Sequence, residues 1–215
     1  MSDGACVARR MARRSAFEAA IRSGATVVFP ADTVYGLACD PSSAAAVQRM
    51  YALKGRAPDK PAAVMFFSVD AAAGVLDALG PRTAAAAHAL LPGAVTLLVG
   101  DADRRFPLAG GDGVLGLRVP DLPELAGVSL PVLQTSANLA GGPEALRLAD
   151  VPESIRAGAG LVLDGGELGE GGVAVPSTVI ALTRYEDAGA WSIVRAGAVS
   201  SAVVAAALAD GPERT

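Results

Sequence analysis

TVVFPADTVYGLACDPSSAAAVQRMYALKGRAPDKPAAVMFF, residues 26–67, is the stretch on which the fold turns. Its opening run, Thr26–Phe29, is β-branched and aromatic, and Pro30 closes it because proline has no amide hydrogen to carry a ladder onward. Ser42–Leu53 is alanine-rich and patterned as a helix, and Ala62–Phe67 is a short apolar run of strand type. Strand, helix and strand within one such span read as α/β.

Outward from this span the alternation continues. Strand-type runs occupy Val95–Val99, Val114–Val119, Val132–Thr135, Leu161–Leu163, Thr178–Leu182 and Trp191–Val194, which with the two above makes eight candidates. Helical stretches fall at Ser68–Leu79, Arg82–Leu91 and Ser200–Ala209. Residues 8–22 are also helical, with Ser15 and Glu18 spaced as a capping box that marks an internal start and Gly24 as a stop. Arg9, Arg10, Arg13 and Arg14 give that helix a basic outer face, read as solvated. Because helices follow strands irregularly, the sheet is expected to be mixed and twisted. The glycine-rich segment Gly165–Gly172 reads as a loop that either links two strands or closes over a ligand.

At 215 residues and 52% hydrophobic composition the chain suits one large domain. No apolar run reaches the roughly 18 residues of a membrane span, and no apolar segment with a cleavage site follows the N-terminal arginines. Cys6 and Cys39 form neither a disulfide framework nor a zinc pattern, which fits a reducing cytoplasm. A net charge of -4 argues against binding nucleic acid through the whole surface, so anion binding is expected to be local. Only two of the 18 basic residues are lysines, Lys54 and Lys60, and they flank Arg56.

Two nucleotide-binding signatures fail. Gly111, Gly113 and Gly116 have dinucleotide-fingerprint spacing, but LRVPDLP follows them where a helix is required. No glycine precedes either lysine in P-loop fashion. His88, the one histidine, has no cysteine or second histidine near it and reads as structural, so any divalent metal is expected to be Mg²⁺ arriving with phosphates.

Other segments survive. PADTVYGL, residues 30–37, reads equally as a ligand crevice at a strand end, with Thr33 as a hydrogen-bonding group, or as a proline-initiated turn capped by Asp32. KGRAPDKP, residues 54–61, sets Lys54, Arg56 and Lys60 in a loop feeding a buried strand, a pattern suited to polyphosphate. Thr135, Ser136 and Asn138 put short polar groups at another strand end. Arg118 interrupts an apolar strand, a costly place for a charge unless it is paired or holds a ligand. Arg195 ends the last strand, and Ser177 opens PSTVI.

In order, PADTVYGL, KGR with a later KP, LPGAVT, LRVP, TSAN, PSTV and RAG resemble the YrdC-like threonylcarbamoyl-AMP synthase family in its single-domain form, from about Gly24 to Gly197. The resemblance implies a twisted open mixed sheet with flanking helices and a cationic concave cleft. It also implies a domain over residues 1–200, with a helix and tail at 201–215. Threonine would be held by Thr33, Met65, Arg118, Ser136 and Ser177, with Arg118 on its carboxylate. ATP would be held by Lys54, Arg56, Lys60, Val114, Asn138, Leu146 and Arg195, and Lys54 and Arg56 would serve the chemistry. The implied reaction joins L-threonine, bicarbonate and ATP, with Mg²⁺ and no dedicated protein metal site, to give threonylcarbamoyl-AMP for N6-threonylcarbamoyladenosine in tRNA. The implied partners are a downstream tRNA threonylcarbamoyl transferase and tRNA, with no membrane. The alternative is an RNA-binding module of ribosome maturation using the same cations. Departures from the family pattern are Ala31 after Pro30, LPGAVT, RAG, and Met65 where many members carry a polar residue.

Overall fold

The computed structural model describes residues 3–57, 60–169 and 174–209. Its strands are β1 (Val27–Pro30), β2 (Tyr35–Cys39), β3 (Ala63–Met65), β4 (Val95–Gly100), β5 (Val114–Arg118), β6 (Val132–Ser136), β7 (Leu161–Val162), β8 (Thr178–Arg184) and β9 (Ala190–Arg195). They form one sheet in the order β7-β1-β2-β6-β3-β5-β4-β8-β9. The pairs β1–β7, β3–β5 and β4–β8 are parallel and the others antiparallel, so the sheet is mixed as the irregular placement of helices implied. All eight expected strands are present, with ends shifted by a residue or two.

The ninth, β2, lies inside PADTVYGL, where the sequence suggested a crevice or a turn. Every residue of β2 is buried, so the strand lacks the polar–apolar alternation that announces a half-exposed one. Gly36 belongs there for space. A Cβ at that position would come 2.9 Å from the Phe29 ring and 3.1 Å from the Gln134 amide.

The helices are α1 (Asp3–Arg22), α2 (Ala44–Lys54), α3 (Val69–Leu76), α4 (Pro81–Leu90), α5 (Glu153–Gly158), α6 (Tyr185–Ala188) and α7 (Ser201–Ala209). Ser43 caps α2 and Ser68 caps α3, each accepting a hydrogen bond from an early amide of its helix. Gly55 ends α2 in the left-handed conformation, φ 59°. The internal start expected at Ser15 is not found: α1 runs unbroken, and Glu18 instead accepts bonds from the Ser129 amide (2.7 Å) and hydroxyl (3.1 Å). A tertiary partner outcompetes the local box.

Helices α2 to α7 cover one face of the sheet and share its larger apolar core. Residues 201–209, set apart from the domain by the family resemblance, bring Val204 and Leu208 into this core, and the Tyr185 hydroxyl donates to the Leu208 carbonyl (3.2 Å). The tail beyond 209 and part of Gly165–Gly172 lie outside the described residues. On the other face α1 packs Phe17 and Ile21 onto Val27, Phe29, Ala38, Met65 and Val132. That helix covers only part of its face. Among the described residues no helix is long and apolar enough to cross a membrane.

Candidate functional site

Side chains alternate across a strand. Leu97, Leu115, Leu117, Leu133 and Ile180 therefore enter the core under α2 to α7, while Thr96, Leu98, Val114, Gly116, Arg118, Gln134, Ser136 and Val179 point the opposite way. These form the floor of a cavity of about 550 Å³ beside α1. Its walls come from Thr33 and Val34 in the β1–β2 turn, Lys54 and Arg56 at the end of α2, the segment after β6 through Glu144, and Pro176, Ser177 and Arg195. Four basic side chains line it, and among the described residues Glu144 is the one acid that does.

Lys54 is 2% exposed, an uncommon place for a lysine, and its ammonium is fully used. It donates to the Ser136 carbonyl, the Asn138 carbonyl (2.6 Å) and Asn138 Oδ1 (3.0 Å). Three donors meet three acceptors. Asn138 Oδ1 also accepts from the Ser136 hydroxyl (2.7 Å), and Asn138 Nδ2 donates to the Gly142 carbonyl (2.6 Å). Lys54 thus ties the polar turn after β6 to the end of α2. Burial, then the nearby charge of Arg56, lowers its pKa to about 8.

Arg118 is 4% exposed. Its Nη1 donates to Gln134 Oε1 (3.2 Å) and its Nη2 to Asp32 Oδ1, forming a buried ion pair. Burial lowers the Arg118 pKa and raises that of Asp32, in each case against the pull of the partner's charge. Asp32 Oδ2, Arg118 Nε and Thr33 Oγ1 are buried without a hydrogen-bond partner.

Across the cavity Ser177 Oγ lies 3.0 Å from Thr96 Oγ1, and Arg195 Nη2 donates to the Ser177 carbonyl (2.8 Å) and hydroxyl (3.2 Å). Arg56 donates to the Pro61 carbonyl (2.5 Å) and lies over the Tyr51 ring, 5.9 Å from its centroid.

Of the residues singled out from the sequence, Thr33, Lys54, Arg56, Val114, Arg118, Ser136, Asn138, Ser177 and Arg195 line one cavity. Three do not. Met65 sits in register with Arg118 but is 0% exposed, packed in the cluster under α1 with Phe29 and Phe67. Leu146 is buried off the cavity lining, although its carbonyl accepts from the Leu168 amide (2.9 Å). Lys60 is exposed and off the lining, so the three-cation loop is reduced to Lys54 and Arg56 at the cavity itself.

Thr96, Gln134 and Glu144 were not singled out. Strand periodicity could have found Gln134, two residues before Ser136 and hence on its face, and Thr96, an isolated hydroxyl in an apolar strand. Glu144 lies in an irregular segment and leaves no periodic trace. Gly111 and Gly113 precede β5 with no helix after them, in keeping with the rejection of a dinucleotide fingerprint.

Comparison with known proteins adds a second line. The Sua5/YciO/YrdC family model, described as telomere recombination, matches residues 19–197. A threonylcarbamoyl-AMP synthase of Chromohalobacter salexigens is 37% identical over 166 residues, covering 75% of this chain and 88% of the relative. The human threonylcarbamoyl-AMP synthase is 35% identical over 158 residues, covering 71% of this chain and 56% of the relative. The crystal structure of P. abyssi Sua5 complexed with L-threonine superposes with a TM-score of 0.71 at 28% identity, covering 87% of this chain and 53% of that one. The chain thus spans most of the first relative's length and little over half of the other two.

Proposed function

The chain belongs to the Sua5/YciO/YrdC family, and from that premise and the cavity we propose that it is an L-threonylcarbamoyladenylate synthase. The amine of L-threonine attacks CO₂, losing a proton, or bicarbonate, losing water, to give a carbamate. A carbamate oxygen then attacks the α-phosphate of ATP, and pyrophosphate leaves. The product carries the threonylcarbamoyl group toward N6-threonylcarbamoyladenosine in tRNA, through a transferase acting after this enzyme. The two free cysteines agree with a cytoplasmic setting.

The observation that carries this function is the convergence in one cavity of two kinds of group. Thr33, Arg118 and Gln134 offer an arginine and short polar groups of the size of an amino acid. Lys54, Asn138 and Arg195 offer positive charge and an amide suited to a nucleotide. Ser136 and Ser177 add hydroxyls to the same lining. Such a site works by holding the carbamate against the α-phosphate and by neutralising charge that builds on the departing pyrophosphate. Arg56, whose Nε is buried without a partner, and Arg195 serve that charge directly. Lys54 serves it through its field, because its three hydrogen bonds hold the turn carrying Ser136 and Asn138.

Mg²⁺ is proposed to enter with ATP, held by phosphates and water and supplying charge neutralisation. Among the described residues no three His, Cys, Asp or Glu side chains cluster as a metal site. Glu144, whose Oε2 is buried and unpartnered on the cavity wall, is the carboxylate that fits as an added ligand.

Pyrophosphate release from ATP by the purified protein with Mg²⁺ and bicarbonate tests the proposal. Release is expected with L-threonine and not without an amino acid. Release that ignores threonine, or none at all, would overturn it.

A further inference from the structure

On the proposed function Arg118 receives the carboxylate of the amino acid, yet Arg118 already carries a carboxylate, that of Asp32. The contact suits neither partner well. Guanidinium and carboxylate can pair through two parallel bonds, but here Nη2 and Oδ1 meet while Arg118 Nε and Asp32 Oδ2 stay buried and unpartnered. Their side chains are only 5% and 9% exposed, so an unmade bond is costly at either one. Burial outweighs the pull of Arg118 on the Asp32 carboxyl, which leaves the pair held against a desolvation cost.

The supports of the two residues also differ. Arg118 stands in β5 and is braced across β3 by Gln134 of β6. Asp32 stands in the bend between β1 and β2, beside Thr33, whose hydroxyl has no partner either. The arginine is anchored in the sheet, and the acid sits on a connection.

We infer that Asp32 is a substrate-recognition residue that exchanges partners, yielding Arg118 to the carboxylate of the incoming amino acid and accepting a hydrogen bond from its α-ammonium in return. One carbon separates the α-nitrogen from the carboxyl group, so the nitrogen arrives beside Asp32 when the carboxylate reaches Arg118. Before and after the exchange every buried charge has an opposite neighbour. A bare carboxylate would leave Asp32 buried and unpaired, and a bare amine would offer Arg118 nothing. The pair therefore selects a zwitterion. This rests on the proposed function and adds to it the means by which an α-amino acid is told from the same acid without its amino group.

Titration calorimetry with L-threonine, 3-hydroxybutyrate and L-threoninol tests the exchange in the wild type and in Asp32→Asn. The wild type is expected to bind threonine at least about tenfold more tightly than either analogue. Asp32→Asn keeps an oxygen for Arg118 but loses the charge, so its preference for threonine over 3-hydroxybutyrate should shrink by about tenfold or more. Thermal unfolding shows whether the variant folds. If it does not, the wild-type preference decides alone, and equal binding of threonine and 3-hydroxybutyrate overturns the exchange. A preference unchanged in a folded Asp32→Asn also overturns it. Threonine binding with unchanged selectivity would sink this inference alone, whereas no threonine binding by the wild type would sink the proposed function with it.

Discussion

The part of the sheet face under α1 and the part left open as the cavity share strands, and they differ in what two residues along a strand can do. On β6, Val132 packs in the closed part, while Gln134 and Ser136, on the same side, face the cavity. On β3 and β5 the neighbours Met65 and Arg118 divide in the same way. The closed part is held by apolar packing: Phe17 meets Phe29 and Phe67 edge-to-face, with centroids 5.4 and 5.3 Å apart. The open part is held by Lys54, Arg118 and their hydrogen bonds. One half stabilises the molecule, and the other keeps charges buried at a cost to have them placed for ligands.

The largest expected effect breaks the closed part. Phe29→Ala removes a fully buried ring and should cost about 3–5 kcal/mol in urea unfolding. The pyrophosphate release of the molecules that remain folded should stay close to normal. Activity lost without loss of stability would show that the two parts are not separable.

Next comes the open part. Arg118→Met leaves Asp32 buried without its counterion and should cost about 3 kcal/mol of stability as well as threonine-dependent release. Adding Asp32→Asn should return most of the stability and none of the activity. Recovery of both would mean that Arg118 serves the fold and not the substrate.

How legible this division was depended on what each half used. The helix-covered face was readable because its strands repeat apolar residues and its helices carry caps such as Ser68. The polar strand ends that line the cavity were readable because Ser136, Arg118 and Ser177 break apolar runs, and the family resemblance gave their order. The strand β2 was hidden because burial on both faces erased its alternation and Pro30 with Asp32 read as the start of a turn. Ser15 and Glu18 looked like a cap because local spacing cannot reveal that Ser129, 111 residues from Glu18, is the stronger partner. Met65 was expected at the substrate only through the family resemblance, and where α1 ends its cover, which leaves Met65 packed beneath it, is not written in the local sequence. Saturation of Lys54 by Ser136 and Asn138 was equally invisible, since it needs the distance between α2 and β6.

A third prediction follows from that saturation. Free lysine holds its proton well above pH 10, but burial and Arg56 bring Lys54 to about 8. It is charged below that pH and loses its charge, with one of its three donors, above it. ATP affinity measured by calorimetry without threonine should therefore fall as pH rises through 8, by about tenfold. A flat profile would remove the Lys54 charge from nucleotide binding.

The smallest effect sharpens the comparison most finely, because it removes one atom from the open half. Ser136→Ala deletes the hydroxyl that donates to Asn138 Oδ1 at 2.7 Å, while Lys54 still donates to the same oxygen at 3.0 Å. The turn should keep its shape, and stability should change by about 1 kcal/mol or less. Catalysis should register more: kcat/KM for threonine should fall about fivefold, chiefly through KM, because Ser136 also lines the cavity. An equal fall in kcat at constant KM would place the hydroxyl at the reacting atoms and not at the amino acid.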